Sequence, residues 1–286
     1  MNKRLFGLVS LIIAALFLTA CNPVVNEPPK NTKPIVGVTI VPQETFVKAI
    51  AGDAVDVITM VPPGSSPETY EPTPQQMADF SKASIFFAIG MAVEETKVLP
   101  QIGKTPVVDL AEIVREEYPD RTFEEGERDE HIWLSPKRIE VIIETMVSEL
   151  STLLPDQKTV FEKNGQDYIS ELKKADQEIV EIFNTMDPKI FIVYHPAFGY
   201  FADEYGLTMV ALEEEGKEST PQQLQAVVNF AKENGLKAVF YQQEVDSRQS
   251  VSFAEEIKGK AIQLSPLSGD YIQNLKDMAK AIAEAK

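Results

Sequence analysis

Only two histidines occur in 286 residues, and both stand among aromatics at the edges of expected elements. His131 lies in Asp129-Glu130-His131-Ile132-Trp133-Leu134-Ser135-Pro136, beside the only Trp. His195 lies in Tyr194-His195-Pro196-Ala197-Phe198-Gly199-Tyr200. Imidazole is the commonest metal ligand among side chains. It is also a frequent hydrogen-bonded packing residue, so residue type alone decides nothing. The case for a metal site rests on what surrounds the two rings.

From Ile35 the chain alternates strand and helix. Apolar, β-branched runs at 35–41, 55–61, 84–89 and 107–110 read as strands, with helices expected at 43–50, 75–82 and 94–99. The stretch 112–130 is dense in Glu and Asp and lacks a helical period, so it reads as a solvated loop. Ser135-Pro136 opens a helix to about 153, with Ser as N-cap and Pro at the first position. Pro155-Asp156 begins a longer one to about 186. Its apolar stripe runs through Phe161, Tyr168, Leu172, Ala175, Ile179, Ile182 and Met186, and Gly165 is its weak point. The alternation then resumes: strands at 190–194, 207–212, 238–241 and 261–264, helices at 197–205, 221–234, 248–257 and 271–285, and an acidic loop at 213–218. Continuous apolar strands between helices imply parallel sheets covered on both faces. The expected fold is α/β, two lobes of one mainly parallel four-stranded sheet each, joined by one long helix. The divisions are 34–154, 155–187 and 188–286.

In open parallel sheets, ligands bind past the carboxyl ends of the strands. Pro63 to Pro72 follows the second strand, His195 follows the strand at 190–194, and Ser265-Pro266-Leu267 follows the strand at 261–264; His131 precedes a helix in the first lobe. Loops of both lobes thus converge on one cleft, the geometry of a protein that closes on a small solute.

A net charge of −17 excludes a nucleic-acid partner, which needs clustered Lys and Arg. Residues 1–20 read as a signal peptide: Lys3 and Arg4, then an apolar run from Leu5 to Leu18. Leu18-Thr19-Ala20-Cys21 resembles the bacterial lipobox, which makes Cys21, the only cysteine, the lipidation site. The Pro-rich stretch 21–33 reads as a tether in extended form.

The ordered set Val61-Pro62-Pro63-Gly64, Tyr70-Glu71-Pro72, His131-Ile132-Trp133-Leu134-Ser135-Pro136, His195-Pro196-Ala197-Phe198-Gly199-Tyr200-Phe201, Glu215-Gly216-Lys217-Glu218 and Pro266-Leu267 carries a family resemblance. The chain resembles the metal-binding lipoproteins of ABC-type zinc and manganese importers, within them the zinc-type group. The resemblance implies a metal buried between two lobes, and three ligand positions that fall here on Glu68, His131 and His195. A fourth, an Asp in the family, falls on Ser265, a poor donor; Asp270, Glu214 and Glu244 are the candidate substitutes. It also implies a monomer, lipid-anchored on the extracytoplasmic face of the cell membrane, that hands Zn2+ to the permease subunits. Two imidazoles and a carboxylate also suit Mn2+ or Fe2+. The other alternative is an adhesion or structural lipoprotein with a degraded metal site. No His-Glu-x-x-His, Ser-His-Asp or phosphate-loop pattern points to an enzyme.

Overall fold

Ile-Val-Gly-Val at Ile35–Val38 forms β1, the first strand of a sheet whose order is β2-β1-β3-β4. β2 is Asp56–Thr59, β3 is Ile85–Ala88 and β4 is Val107–Asp109, and every pairing is parallel. The computed structural model describes residues 33–123, 126–214, 217–244 and 248–285, with backbone alone at 214, 217 and 218. The expected signal peptide, Cys21 and the tether as far as residue 32 lie outside the described residues. Among the described residues, no helix is long and apolar enough to cross a membrane.

A second parallel sheet has the order β10-β9-β5-β6, from β5 (Ile190–Val193), β6 (Thr208–Ala211), β9 (Ala238–Gln242) and β10 (Lys260–Leu264). Two four-stranded parallel sheets are what the apolar runs required. Helices cover them: α1 (Val41–Ala51), α2 (Pro74–Phe80), α3 (Leu110–Glu117), α6 (Gly199–Tyr205), α7 (Pro221–Glu233), α8 (Arg248–Glu256) and the last helix, α9 (Tyr271–Glu284). Between the sheets run α4 (Pro136–Leu153) and the long α5 (Lys158–Asn184). At 27 residues α5 spans about 40 Å.

The long helix buries Phe161, Leu172, Ala175, Ile179 and Phe183, close to the stripe read from sequence. It packs on α1, α4, α6 and α9, so both sheets lean on it. Phe46 of α1 meets the Tyr271 ring of α9 edge-on at 4.9 Å, and Thr45 donates to the Gly269 carbonyl at 2.7 Å. The start of α9 therefore lies against the first sheet's helices, and one core runs from Val36 to Ile282.

Three expectations need correction. Residues 112–130 are not loop throughout, because α3 occupies the first part. Asp109 caps it, accepting from the Glu112 N–H at 3.0 Å, and Leu110, Ala111 and Val114 give it a buried face. That short amphipathic stripe was hidden among charges. The acidic stretch 213–218 is not loop at its described ends, where β7 (Glu213–Glu214) and β8 (Lys217–Glu218) pair as antiparallel strands. Gly165 is a contact rather than a weak point: a Cβ there would stand 2.5 Å from Val147 Cγ2, so glycine lets α4 and α5 approach closely.

Candidate metal centre

Three loops bring the donors together. Glu68 sits in the proline-rich loop after β2, whose far end is fixed where Thr73 caps α2 and Gln76 donates to the Met60 carbonyl at 2.9 Å. His131 immediately precedes a 3-10 turn, Ile132–Leu134, that leads through the Ser135 cap into α4. His195 follows β5, where the Ala197 N–H turns back onto its carbonyl at 2.9 Å. Both imidazoles are buried and the Glu68 side chain is 35% exposed.

Their donor atoms face one another. Glu68 Oε1 lies 2.7 Å from His195 Nε2 and 3.4 Å from His131 Nε2, and the two Nε2 atoms are 3.4 Å apart. A tetrahedral dication with bonds near 2.1 Å separates its ligand atoms by about 3.4 Å. Two of the three edges match that figure, and the third is a hydrogen bond that a metal would stretch. Among the described residues these three form the group of donors close enough to share an ion, all within 4.8 Å.

Each ring is held from behind by an acid. Asp129 Oδ1 accepts from His131 Nδ1 at 2.8 Å and from its backbone N–H at 3.0 Å. Glu213 Oε1 lies 2.5 Å from His195 Nδ1. Burial pulls the His131 imidazole toward its neutral form, but hydrogen bonds to Asp129 and Glu68, and their charge, outweigh it and carry the pKa up to about 10. Burial likewise opposes charge on His195, yet Glu213 and Glu68 raise it. Burial raises Glu68, and its bonds to both rings outweigh that and hold the carboxyl well below the usual range.

Neither acid was foreseen. Asp129 stood in the quoted motif without a role. Glu213 was passed over for its neighbour Glu214, whose side chain lies outside the described residues. In the order β10-β9-β5-β6, Glu213 follows the strand on one side of β5 and Glu244 the strand on the other. The ring of His195 meets the Glu213 side.

The donors line a cavity of about 240 Å3 whose other walls include Phe123, Glu127, Arg128 and Glu130. Among the described residues, neither that lining nor the donor group takes in Ser265, Asp270 or Glu244. Ser265 accepts from Asn274 through its carbonyl at 2.8 Å, and the next carbonyl, of Pro266, accepts from Trp133 Nε1 at 3.1 Å. That turn anchors Trp133, whose ring lies 5.1 Å from that of His131. Asp270 is exposed at the N-cap of α9, and Glu244 is half-buried in the turn after β9. A larger groove, about 890 Å3, runs between α7 and α8; it holds no histidine, and its carboxylates, Glu255 and Glu256, are exposed.

The seam beside the site joins the two halves. Tyr200 of α6 donates to the Asp129 carbonyl at 3.1 Å and accepts from the Arg121 N–H at 2.9 Å. Arg121 pairs with Asp129 and with Asp203 of α6, both at 3.2 Å. Ser135 donates to Glu204 at 2.6 Å, and Lys137 pairs with the same carboxylate.

The family model for ZnuA, zinc-uptake complex component A, periplasmic, matches residues 36–285. The zinc-binding lipoprotein AdcA of Streptococcus pneumoniae is 28% identical over 278 residues, 91% of this chain and 55% of that protein, so the chain spans about half its length. The manganese ABC transporter substrate-binding lipoprotein PsaA of Streptococcus anginosus is 28% identical over 270 residues, covering 89% of this chain and 86% of its own. A crystal structure of ZnuA superimposes with a TM-score of 0.83 at 34% identity, over 88% of this chain and 99% of that one.

Proposed function

The chain belongs to the ZnuA family, zinc-uptake complex component A, and on that premise we propose that it is the extracytoplasmic solute-binding lipoprotein of an ABC-type metal importer. In this reading it takes up a divalent transition metal between Glu68, His131 and His195 and hands it to the permease. Lipid on Cys21 holds it at the membrane, and the lobes 34–154 and 188–286 meet at the helical segment 155–187. The observation that carries the reading is the convergence of three donors, from loops of both halves, with two of their three separations at the edge length of a tetrahedron.

Zinc is the favoured cargo. Two imidazole nitrogens and one carboxylate oxygen suit zinc, and at equal geometry zinc outbinds manganese and iron. The names of the relatives divide among zinc, manganese and iron, so selectivity is a matter for measurement. Competition of Zn2+ and Mn2+ against a chromophoric chelator tests the reading. Tight binding of one ion per chain is expected, with zinc ahead; binding of neither ion would refute it.

A further inference from the structure

We propose that Asp129 and Glu213 are the positioning residues of this site: each fixes one imidazole in the tautomer that turns Nε2 toward the cargo, and together they supply negative charge that the three donors lack. The inference rests on the metal-binding reading above and adds to it the two residues that make the rings into ligands. A neutral imidazole carries one proton, and whichever nitrogen holds it cannot bind a metal. Asp129 and Glu213 each occupy the Nδ1 side of a ring, so the proton stays there and the lone pair sits on Nε2. Both Nε2 atoms then point at Glu68 Oε1.

Charge reinforces the argument. Two neutral imidazoles and one carboxylate leave a dication with a net charge of +1. Water stabilises excess charge poorly here, since both rings are buried. Asp129, fully buried, and Glu213, 7% exposed, stand one ring-width behind the donors and, with the Arg121 cation that pairs with Asp129, bring the sum to zero. The two acids come from different halves: Asp129 precedes the turn into α4 and Glu213 follows β6. Each half thus carries a complete acid–histidine unit, and Glu68 stands between them.

Only two histidines exist in the chain, so [15N]histidine labelling reports on this site alone. Zn2+ by itself is the probe, titrated against a chromophoric chelator into the unmodified chain and into Glu213→Ala, Glu213→Gln and Asp129→Asn. The alanine change should weaken Zn2+ by about 10- to 100-fold and release the His195 Nδ1 proton to fast exchange, while the His131 proton stays protected. The isosteric Glu213→Gln and Asp129→Asn keep an oxygen that accepts from the ring, the second at the expense of the Arg121 pair, and in the folded chain, checked by circular dichroism, should retain the protected Nδ1 protons yet still lose affinity, because they remove charge. If Glu213→Gln and Asp129→Asn bind as tightly as the unmodified chain, the charge argument fails. If Glu213→Ala keeps both protons protected, the positioning role fails. An unmodified chain that binds no Zn2+ would overturn the metal reading itself and this inference with it.

Discussion

Gly199→Ala tests whether the seam behind His131 is as tight as its distances indicate. A Cβ on Gly199 would stand 2.6 Å from Arg121 Cζ, from Arg121 Nη1 and from Asp129 Oδ2. Asp129 is fully buried and braced by two bonds to His131, so Arg121, a quarter exposed, is the group that gives way. Overpacking of this kind costs about 1–3 kcal/mol. Losing the charged hydrogen bond from Arg121 to a buried carboxylate adds about 1.5–3 kcal/mol. Alanine in a helix returns at most about 1 kcal/mol. The net expectation is a loss of about 1.5–6 kcal/mol, outside the ~0.5 kcal/mol of an ordinary surface change. Urea unfolding of metal-free protein, followed by Trp133, the only Trp and a buried one, measures it. Arg121→Ala removes two of the three close contacts and the ion pair that would be lost, leaving Asp129 Oδ2, so in that background the cost of Gly199→Ala should fall by about half. An equal cost in both backgrounds, or a loss below ~0.5 kcal/mol in the first, would refute the account of the seam.

Removing a donor is more severe at the site and milder for the fold. His131→Ala or His195→Ala should weaken zinc by more than the ~10–100-fold expected of an outer residue, while circular dichroism stays unchanged; wild-type affinity in a competition assay would dismiss the donor assignment. Glu68→His exchanges an oxygen for a nitrogen, so zinc should tighten relative to manganese; a fixed Zn2+/Mn2+ ratio would place Glu68 outside the coordination sphere. The pH dependence follows from His131. Its folded pKa of about 10 lies above the unfolded value of 6.5, so the stability it lends the metal-free protein is complete below 6.5 and lost as pH climbs toward 10. Zinc must displace that proton and any carried by His195, and its apparent affinity should rise at least about tenfold per pH unit across neutrality. Calorimetry in buffers of different ionisation enthalpy counts the protons released, and a count of zero would contradict the raised value.

The two sheets were legible because buried parallel strands are written as continuous apolar runs, as Ile35–Val38 and Ile190–Val193 show. The long helix was legible because Phe161, Leu172, Ala175 and Ile179 keep a helical period across many turns. A stripe of two turns, such as Leu110, Ala111 and Val114, does not stand out against four acidic neighbours, Asp109, Glu112, Glu116 and Glu117, and α3 was missed. The rings were found because histidine is scarce here. Their supports escaped notice because acid residues are plentiful: with 44 Asp and Glu in the chain, residue type carries almost no information about which two matter. What separates Glu213 from Glu244 is the side of β5 on which the His195 ring lies, and that depends on strand order, a property of pairs of strands remote in sequence. Strand order also accounts for Gly199. Its side-chain hydrogen occupies space that Arg121 and Asp129 need, and no local pattern in 195–205 reveals a neighbour 70 positions upstream. Such residues emerge only when the two halves are brought together, which is also the condition for Glu68, His131 and His195 to share one ion.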